Sequence, residues 1–362
     1  MNKKPVAIRI NGQEYSEEEL ILLIAKKLSI PQRSEWEHEL YAFLEEWFSP
    51  SETIGAQTSG STGESQTILL PKTTMQQSAS RTIGYFDLQA GNRILLSLPC
   101  RYIAGKMMVV RAIVGQMDLI AVDPASDFDF LLNERFDFGA MVPNQVFKLL
   151  ESPSGKERIE NIRNLLIGGS AIQAHLETQI SQLSNRVVST YGMTETASHI
   201  AIRELSGERR SDVYHCISGI SVTSSKNDCL QIHVPESSES IQTKDIAEVL
   251  SSTSFRILGR ADDVIISGGI KYWPETIEKK LEPVISERFV ISSLPDEKLG
   301  EKLVLVIEGE PNHIEAIQQK AATLLSPFER PKAICFLNKF PETPNGKIRR
   351  TSIKEAIQAL KL

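Results

Sequence analysis

Between residues 93 and 190, short apolar runs alternate with helical stretches, and this alternation constrains the fold more than any other feature of the chain. The segment 93–98 is a strand candidate that ends at Pro99, 103–114 has helical length, and 117–122 is the next strand. Strands at 138–142, 164–167 and 186–190 continue the series, with helical segments at 144–150 and 174–183 between them. Continuous apolar runs suit strands buried on both faces, so the pattern predicts an α/β fold whose mixed or parallel sheet is flanked by helices. Ligand loops of such sheets sit at strand ends. Gly168-Gly169-Ser170 and Tyr191-Gly192-Met193 fall at two of those ends.

The flanks read differently. Residues 16–48 are expected to form two helices, the first capped by Ser16 with Glu17, Glu18 and Glu19 favouring its N-terminal dipole. Pro31 separates it from an amphipathic helix at 34–48, and 50–67 reads as loop. From Cys216 the pattern turns β-rich, with strands at 230–234, 247–250 and 255–258. The C-terminal stretch reads as a small mobile α+β unit: helix 274–281, strand 303–307, helix 314–325, strand 333–337 and a closing helix. Ile314, Ile317, Ala321, Leu324 and Leu325 are expected to share one apolar helical face. A length of 362 residues fits two or three domains, and the expected division is a large unit over 1–261 and a small one over 262–362.

Charge and cysteine content narrow the function classes. Forty basic against 46 acidic residues leave a net charge of −6, which argues against a general nucleic-acid binder. The four cysteines, Cys100, Cys216, Cys229 and Cys335, form no C-x-x-C pair and suggest neither a disulfide framework nor a zinc site. No run reaches the length of a membrane span, and the basic N-terminus lacks a signal-like apolar core, so a cytoplasmic protein is expected.

Within the 50–67 loop lies Thr58-Ser59-Gly60-Ser61-Thr62-Gly63, followed by Pro71-Lys72. Glycines allow close backbone approach, and successive N–H groups with hydroxyls between them can cradle a triphosphate. The common P-loop is excluded, because Ser61 stands where that motif has lysine. A flexible Ser/Gly linker has the same composition. Three more motifs follow in order: Tyr191-Gly192-Met193-Thr194-Glu195-Thr196; Gly259-Arg260-Ala261-Asp262-Asp263 through Ser267-Gly268-Gly269 to Pro274-Glu275; and Pro344-Asn345-Gly346-Lys347. Taken singly, Glu195 could be a helix N-terminal carboxylate, Asp262 and Asp263 a solvated turn, and Lys347 a surface lysine.

As a set, these motifs resemble the acyl-CoA synthetase, or adenylate-forming, superfamily. The resemblance implies ATP, Mg²⁺ and coenzyme A as cofactor and co-substrates. It implies that Thr58, Ser59, Gly60, Ser61, Thr62, Gly63 and Lys72 hold the ATP phosphates, and that Gly168, Gly169, Ser170 and Ala171 flank the adenine on which Tyr191 stacks. Gly192 and Met193 lead to Thr194, implied at the α-phosphate, and Glu195, the implied Mg²⁺ ligand. Asp245 matches the ribose aspartate and Arg260 the ribose–phosphate arginine. Asp262 matches the hinge, Gly268 and Gly269 the CoA channel, and Lys347 the adenylation lysine.

Within that family the chain is most similar to ligases of o-succinylbenzoate, an aryl diacid of menaquinone biosynthesis. The similarity lies in 98–106 running on to Arg111, and in 194–199. It implies Tyr102, Lys106, Arg111 and Ser198 at the acyl acid, with Tyr102 standing where many relatives have histidine. An arginine fork suits the carboxylate that does not react. Five residues of helix place Lys106 and Arg111 about 140° apart, so both need not face the acid, and a solvated basic face is the alternative for each. His199 could assist the acid or be structural. Only 57 residues precede the phosphate motif, fewer than in most relatives, so a homodimer partner or a rearranged helix is expected to compensate. Other aryl acids, a carrier-protein thiol and a degenerate nucleotide binder remain as alternatives.

Overall fold

The computed structural model describes residues 6–30, 34–57, 66–237, 239–311, 314–342 and 348–360. It is a mixed α/β protein, with helices and both parallel and antiparallel strand pairs. Two compact units form, one from Met1–Ala171, Gln179–Ser221 and Val234–Glu239, the other from Ile172–Thr178, Val222–His233 and Ser240–Leu362.

In the first unit the apolar runs become strands in the spatial order Tyr214–Cys216, His199–Glu204, Arg186–Gly192, Ile162–Ile167, Phe136–Met141, Arg93–Leu96, Asp118–Ala121, Val6–Ile10 and Gln13–Ser16. The pairs from Arg186–Gly192 to Val6–Ile10 are parallel. The outer pairs are antiparallel. Strand Arg93–Leu96 is flanked by Asp118–Ala121 on one side and Phe136–Met141 on the other, which makes a topological switch point, the place where open α/β sheets bind ligands. Gln145 ties the strand ends there. Its amide nitrogen donates to the Ser97 and Pro124 carbonyls at 2.8 and 2.9 Å, and its oxygen accepts from Val142 N–H at 3.0 Å.

Several elements differ from expectation. The chain opens with a β-hairpin, Val6–Ile10 with Gln13–Ser16, turned by Asn11 and Gly12 at φ 50 and 80°. Those left-handed angles are what an Asn-Gly hairpin turn requires. The expected loop 50–67 contains strand Thr53–Gln57, which pairs antiparallel with Thr67–Pro71. An unforeseen helix, Lys72–Tyr85, follows, rich in Thr, Ser and Gln rather than in apolar residues. Ser16 does cap the Glu17–Leu28 helix in a reciprocal capping box with Glu19. The Ile103–Gly115 helix is buried over most of its length, including Lys106 and Arg111. Its first turn lies so close to Pro99 that a Cβ on Gly105 would meet the Pro99 carbonyl oxygen at 2.3 Å.

The second unit holds an antiparallel ribbon of Cys229–His233, Ile241–Ser251 and Ser254–Arg260. It also holds a smaller sheet in which Gly300–Glu308 pairs antiparallel with Phe289–Asp296 and parallel with Ala333–Leu337. Helix Pro274–Leu281 and helix Ile314–Leu324 contribute Ile277, Leu281, Ile317 and Ala321 to one core, with Leu325 beside them. Helix Arg350–Ala359 contributes Ile353 and Ile357 to another. The expected apolar face of the Ile314–Leu324 helix is narrower than foreseen, because Ile314 and Leu324 are exposed.

Candidate active site

Strand ends carry the first group of site residues. Strand Ile162–Ile167 runs into Gly168, whose N–H donates to the Met141 carbonyl at 3.2 Å, and into Gly169 at φ +91°. A Cβ on Gly168 would stand 2.5 Å from the Thr190 hydroxyl, so this crossing admits only glycine without rearrangement. Ser170 and Ala171 continue from it.

Strand Arg186–Gly192 ends in a tight turn at Thr194–Thr196. The Thr196 hydroxyl closes it, accepting from Met193 N–H at 3.1 Å and donating to the Ser198 carbonyl at 2.6 Å. Gly192 passes so close to the returning strand that a Cβ would meet the Ser198 carbonyl oxygen at 2.4 Å. Ala197, fully buried, takes a left-handed φ of +59°, a strained choice for a residue with a Cβ. The turn leaves Thr194 half-buried and Glu195 exposed, and Glu195 forms no ion pair among the described residues. The Tyr191 ring lies 5.9 Å from that of Tyr214.

Behind the turn sits a buried polar group. Arg111 is 2% exposed and donates to the Ser198 hydroxyl at 2.6 Å, with its guanidinium 6.0 Å from the Phe138 ring centre. Its Nε has no partner, and no ion pair engages it among the described residues. Burial pushes its pKa down to about 9, which still leaves it cationic at neutral pH. His199 bridges Ser198 and Thr82, each at 3.3 Å. Burial first, and the Arg111 charge second, hold its pKa well below the ordinary histidine value, so it is neutral at pH 7.

Lys106 has a different setting. Its ammonium donates to the Gly55 carbonyl at 2.7 Å and to Glu46 at 3.1 Å, and Glu46 in turn accepts from Gly55 N–H at 2.8 Å. Lys106 therefore holds strand Thr53–Gln57, which leads to the Thr58–Gly63 motif. Tyr102 forms a parallel bridge with Gln57, the last described residue before that motif. Lys72 donates to the Ser49 carbonyl at 2.8 Å. The motif itself, Thr58, Ser59, Gly60, Ser61, Thr62 and Gly63, lies outside the described residues, as does Lys347.

Within the second unit, Asp245 and Arg260 face each other across paired strands, with the guanidinium donating to the carboxylate at 2.8 Å. Asp262 pairs with Lys244 at 3.1 Å and lies 3.7 Å from Arg260. Gly268 and Gly269, at φ +59 and +82°, turn the hairpin between Ile265–Ser267 and Ile270–Tyr272. Sequence reasoning missed Thr82, Glu46 and the pairing of Arg350 with Glu278, although Asp263 and Glu275 stood in the third motif. Arg350 had a signal, since it follows Lys347 by three residues.

No group of three or more His, Cys, Asp or Glu side chains placed to hold a metal ion such as Mg²⁺ forms among the described residues, so no all-protein cage exists there. A single exposed carboxylate such as Glu195 fits the ordinary way Mg²⁺ is shared between protein and nucleotide phosphates. A cavity of about 940 Å³ opens elsewhere in the first unit, lined by Tyr85, Phe86, Arg135, Phe136, Asn164 and Arg186, and no predicted site residue reaches it.

The mixed α/β sheet with its switch point is shared with the adenylate-forming folds, as a solved relative shows. The chain belongs to the AMP-binding enzyme family, the AMP-forming acyl-CoA ligases, which it matches over residues 14–225. It is 32% identical to an acyl-CoA synthetase (AMP-forming)/AMP-acid ligase II-like protein of Dyadobacter fermentans DSM 18053, over 93% of this chain and 98% of that one, with a TM-score of 0.60. It is 26% identical to the long-chain-fatty-acid–CoA ligase FadD13 of Mycobacterium tuberculosis, over 83% of this chain and 67% of that protein. With the 2-succinylbenzoate–CoA ligase of Listeria monocytogenes it shares 24% identity, over 98% of this chain and 82% of the relative. No helix among the described residues is long and apolar enough to cross a membrane.

Proposed function

We propose that the chain is an o-succinylbenzoate–CoA ligase. The acid's carboxylate attacks the ATP α-phosphorus, pyrophosphate leaves, and the CoA thiol then displaces AMP from the acyl-adenylate to give the thioester. The observation that carries the substrate is Arg111: a buried guanidinium with no ion pair among the described residues, beside a hydroxyl and a neutral histidine. An isolated buried charge is costly, and a bound carboxylate relieves that cost. The likeness to the Listeria ligase over nearly the whole chain agrees with it.

The remaining roles follow the chemistry. Attack of one anion on another is slow unless the charge is neutralised in place. Lys347 supplies the cation between carboxylate and α-phosphate, and Thr194 orients that phosphate. Thr58–Gly63 with Lys72 holds the β- and γ-phosphates, while Gly168–Ala171 and Tyr191 frame the adenine. Asp245 takes the ribose hydroxyls, with Arg260 paired to it at 2.8 Å. Glu195 would hold Mg²⁺, which supplies charge neutralisation at the phosphates when bound. Tyr102 and Ser198 border the acid. Lys106, held by Gly55 and Glu46, serves the acid only through the phosphate strand. Asp262, inside the second compact unit, is the hinge ahead of a small C-terminal domain over 262–362, and Gly268 and Gly269 line the CoA channel. The protein works in the cytoplasm, in menaquinone synthesis.

Pyrophosphate release with ATP, Mg²⁺ and o-succinylbenzoate, with and without CoA, tests the reading. The expected result is release that Lys347→Ala abolishes and a CoA thioester when CoA is present. Release with a monocarboxylic acid but not with the diacid would overturn the substrate. The likeness to FadD13 favours that second reading, a monocarboxylic acyl acid.

A further inference from the structure

Arg350, the first residue of helix Arg350–Ala359, is held by three carboxylates, all within the second unit. Its fork is bidentate on Glu278, with Nη1 to Oε1 at 2.7 Å and Nη2 to Oε2 at 2.6 Å. Its Nε lies 3.8 Å from Glu275 and 3.9 Å from Asp263. Glu278 also accepts from Ile291 N–H at 2.6 Å, which anchors the cluster to strand Phe289–Asp296. Just upstream, Arg349 N–H donates to the Pro341 carbonyl at 2.9 Å and Glu342 bridges Ile348, so the flanks of the segment that contains Lys347 are closed immediately before Arg350. Asp263, at the other side of the cluster, adjoins Asp262 in the turn Ala261–Asp263.

We propose that Arg350 is a positioning residue: clamped on Glu278 and drawn toward Asp263 and Glu275, it holds the start of the C-terminal helix, and with it the approach to Lys347, against the turn that contains Asp262. The proposal deepens the ligase reading and rests on it for the roles of Lys347 and Asp262. Only a planar fork serves two carboxylate oxygens and a third acid at once, so lysine is no equivalent here.

Glu275 gives the cluster a chemical signature. It is faced by Arg350, Glu278 and Asp263, and its Oε2 is buried without a partner. A Cβ on Gly259 would stand 2.5 Å from that oxygen. Burial first, then repulsion from Glu278 and Asp263, against the pull of Arg350, push its pKa up to about 7. One of the three acids therefore carries a proton below neutrality, and its loss places a further negative charge beside the clamp.

The test uses the full chain. In Arg350→Lys, kcat for pyrophosphate release is expected to fall about tenfold to a hundredfold, with KM for ATP and acid within about twofold. Thioester formation from supplied acyl-adenylate is expected to change far less. Equal losses in both half-reactions would indicate general damage and overturn the proposal. Glu275→Gln, nearly isosteric, is expected to erase an inflection near neutral pH in the pyrophosphate rate, and persistence of that inflection would also overturn it. Amide hydrogen exchange is independent of turnover. Arg350→Lys should speed exchange at 261–263 and at the start of the 350–359 helix while leaving Leu303–Ile307 unchanged; unchanged exchange at 261–263 refutes the linkage. A wild-type protein that releases no pyrophosphate with any acid counts against the ligase reading alone, because exchange still scores the clamp.

Discussion

Two arginines of this chain, Arg111 buried and Arg350 half-buried, stand in opposite electrostatic settings. Arg111 has a hydroxyl, a thioether and an aromatic ring around it and forms no ion pair among the described residues, and burial pushes its pKa down. Arg350 has three carboxylates, and they push its pKa up despite its burial. The same side chain thus stands without a counter-charge in one unit and is tied to acids in the other. The difference lies in whether the fold supplies the counter-charge or leaves it to be brought in.

Removing the counter-charged arginine should have the largest effect. Arg350→Met strands Glu278, Glu275 and Asp263 together, and a loss of roughly 3 kcal/mol in denaturant unfolding is expected, because breaking a buried pair leaves an uncompensated charge. A loss below about 0.5 kcal/mol would put Arg350 in the class of surface pairs. Arg111→Met should separate function from stability. Diacid turnover is expected to fall about a hundredfold or more, worth about 3 kcal/mol, while the melting temperature rises. A falling melting temperature would mean that Arg111 is structural and would erase the contrast.

Lys106→Met probes the neighbouring cation on the same helix. It leaves the Gly55 carbonyl without the Lys106 donor and Glu46 with Gly55 N–H alone, and a loss of about 1–3 kcal/mol is expected, with KM for ATP rising more than KM for the acid. The opposite ranking of the two KM values would place Lys106 at the acid after all. Glu275→Gln should have the smallest effect, and its sign depends on pH. The folded pKa is raised from 4.5 to about 7, so the folded state binds more protons between those values and loses stability as pH rises through that window. The variant should match wild type near pH 4.5 and exceed it by about 1–2 kcal/mol above pH 7, discounted for partial solvent access. Urea midpoints at the two pH values check this.

The parts read correctly from sequence were those in which local pattern and burial agree. Runs such as Ile94–Leu96 and Leu165–Ile167 are apolar because both faces of their strands are covered, and the glycines at 168 and 192 mark backbone crossings that a Cβ would block. The Asn11-Gly12 pair is an equally local signal for the hairpin Val6–Ile10 with Gln13–Ser16, since both residues take the positive φ such a turn needs. Helix Lys72–Tyr85 could not be found by apolar periodicity, because only Met75, Ser78, Ala79 and Thr82 are buried in it. The clamp at Arg350 joins residues 72 positions apart, and no local rule pairs an arginine with one glutamate among the 46 acidic residues of the chain. Lys106 and Arg111 were assigned to one pocket on resemblance. Their helical spacing argued for divergence, and the side chains do end on Gly55 and on Ser198 respectively.

That divergence has a consequence for redesign. The Ile103–Gly115 helix touches the strand before the phosphate motif through Lys106 and the acid-side hydroxyl through Arg111, about 7.5 Å further along one rigid rod. Its start is pinned by the missing Cβ of Gly105 against Pro99. In the proposed ligase, a substitution that tilts the rod to admit a different acid also drags strand Thr53–Gln57, which leads to the proposed triphosphate loop. In the proposed ligase, altered acid preference is therefore better sought at Ser198, His199 and Thr82, where a side chain can change without moving the rod.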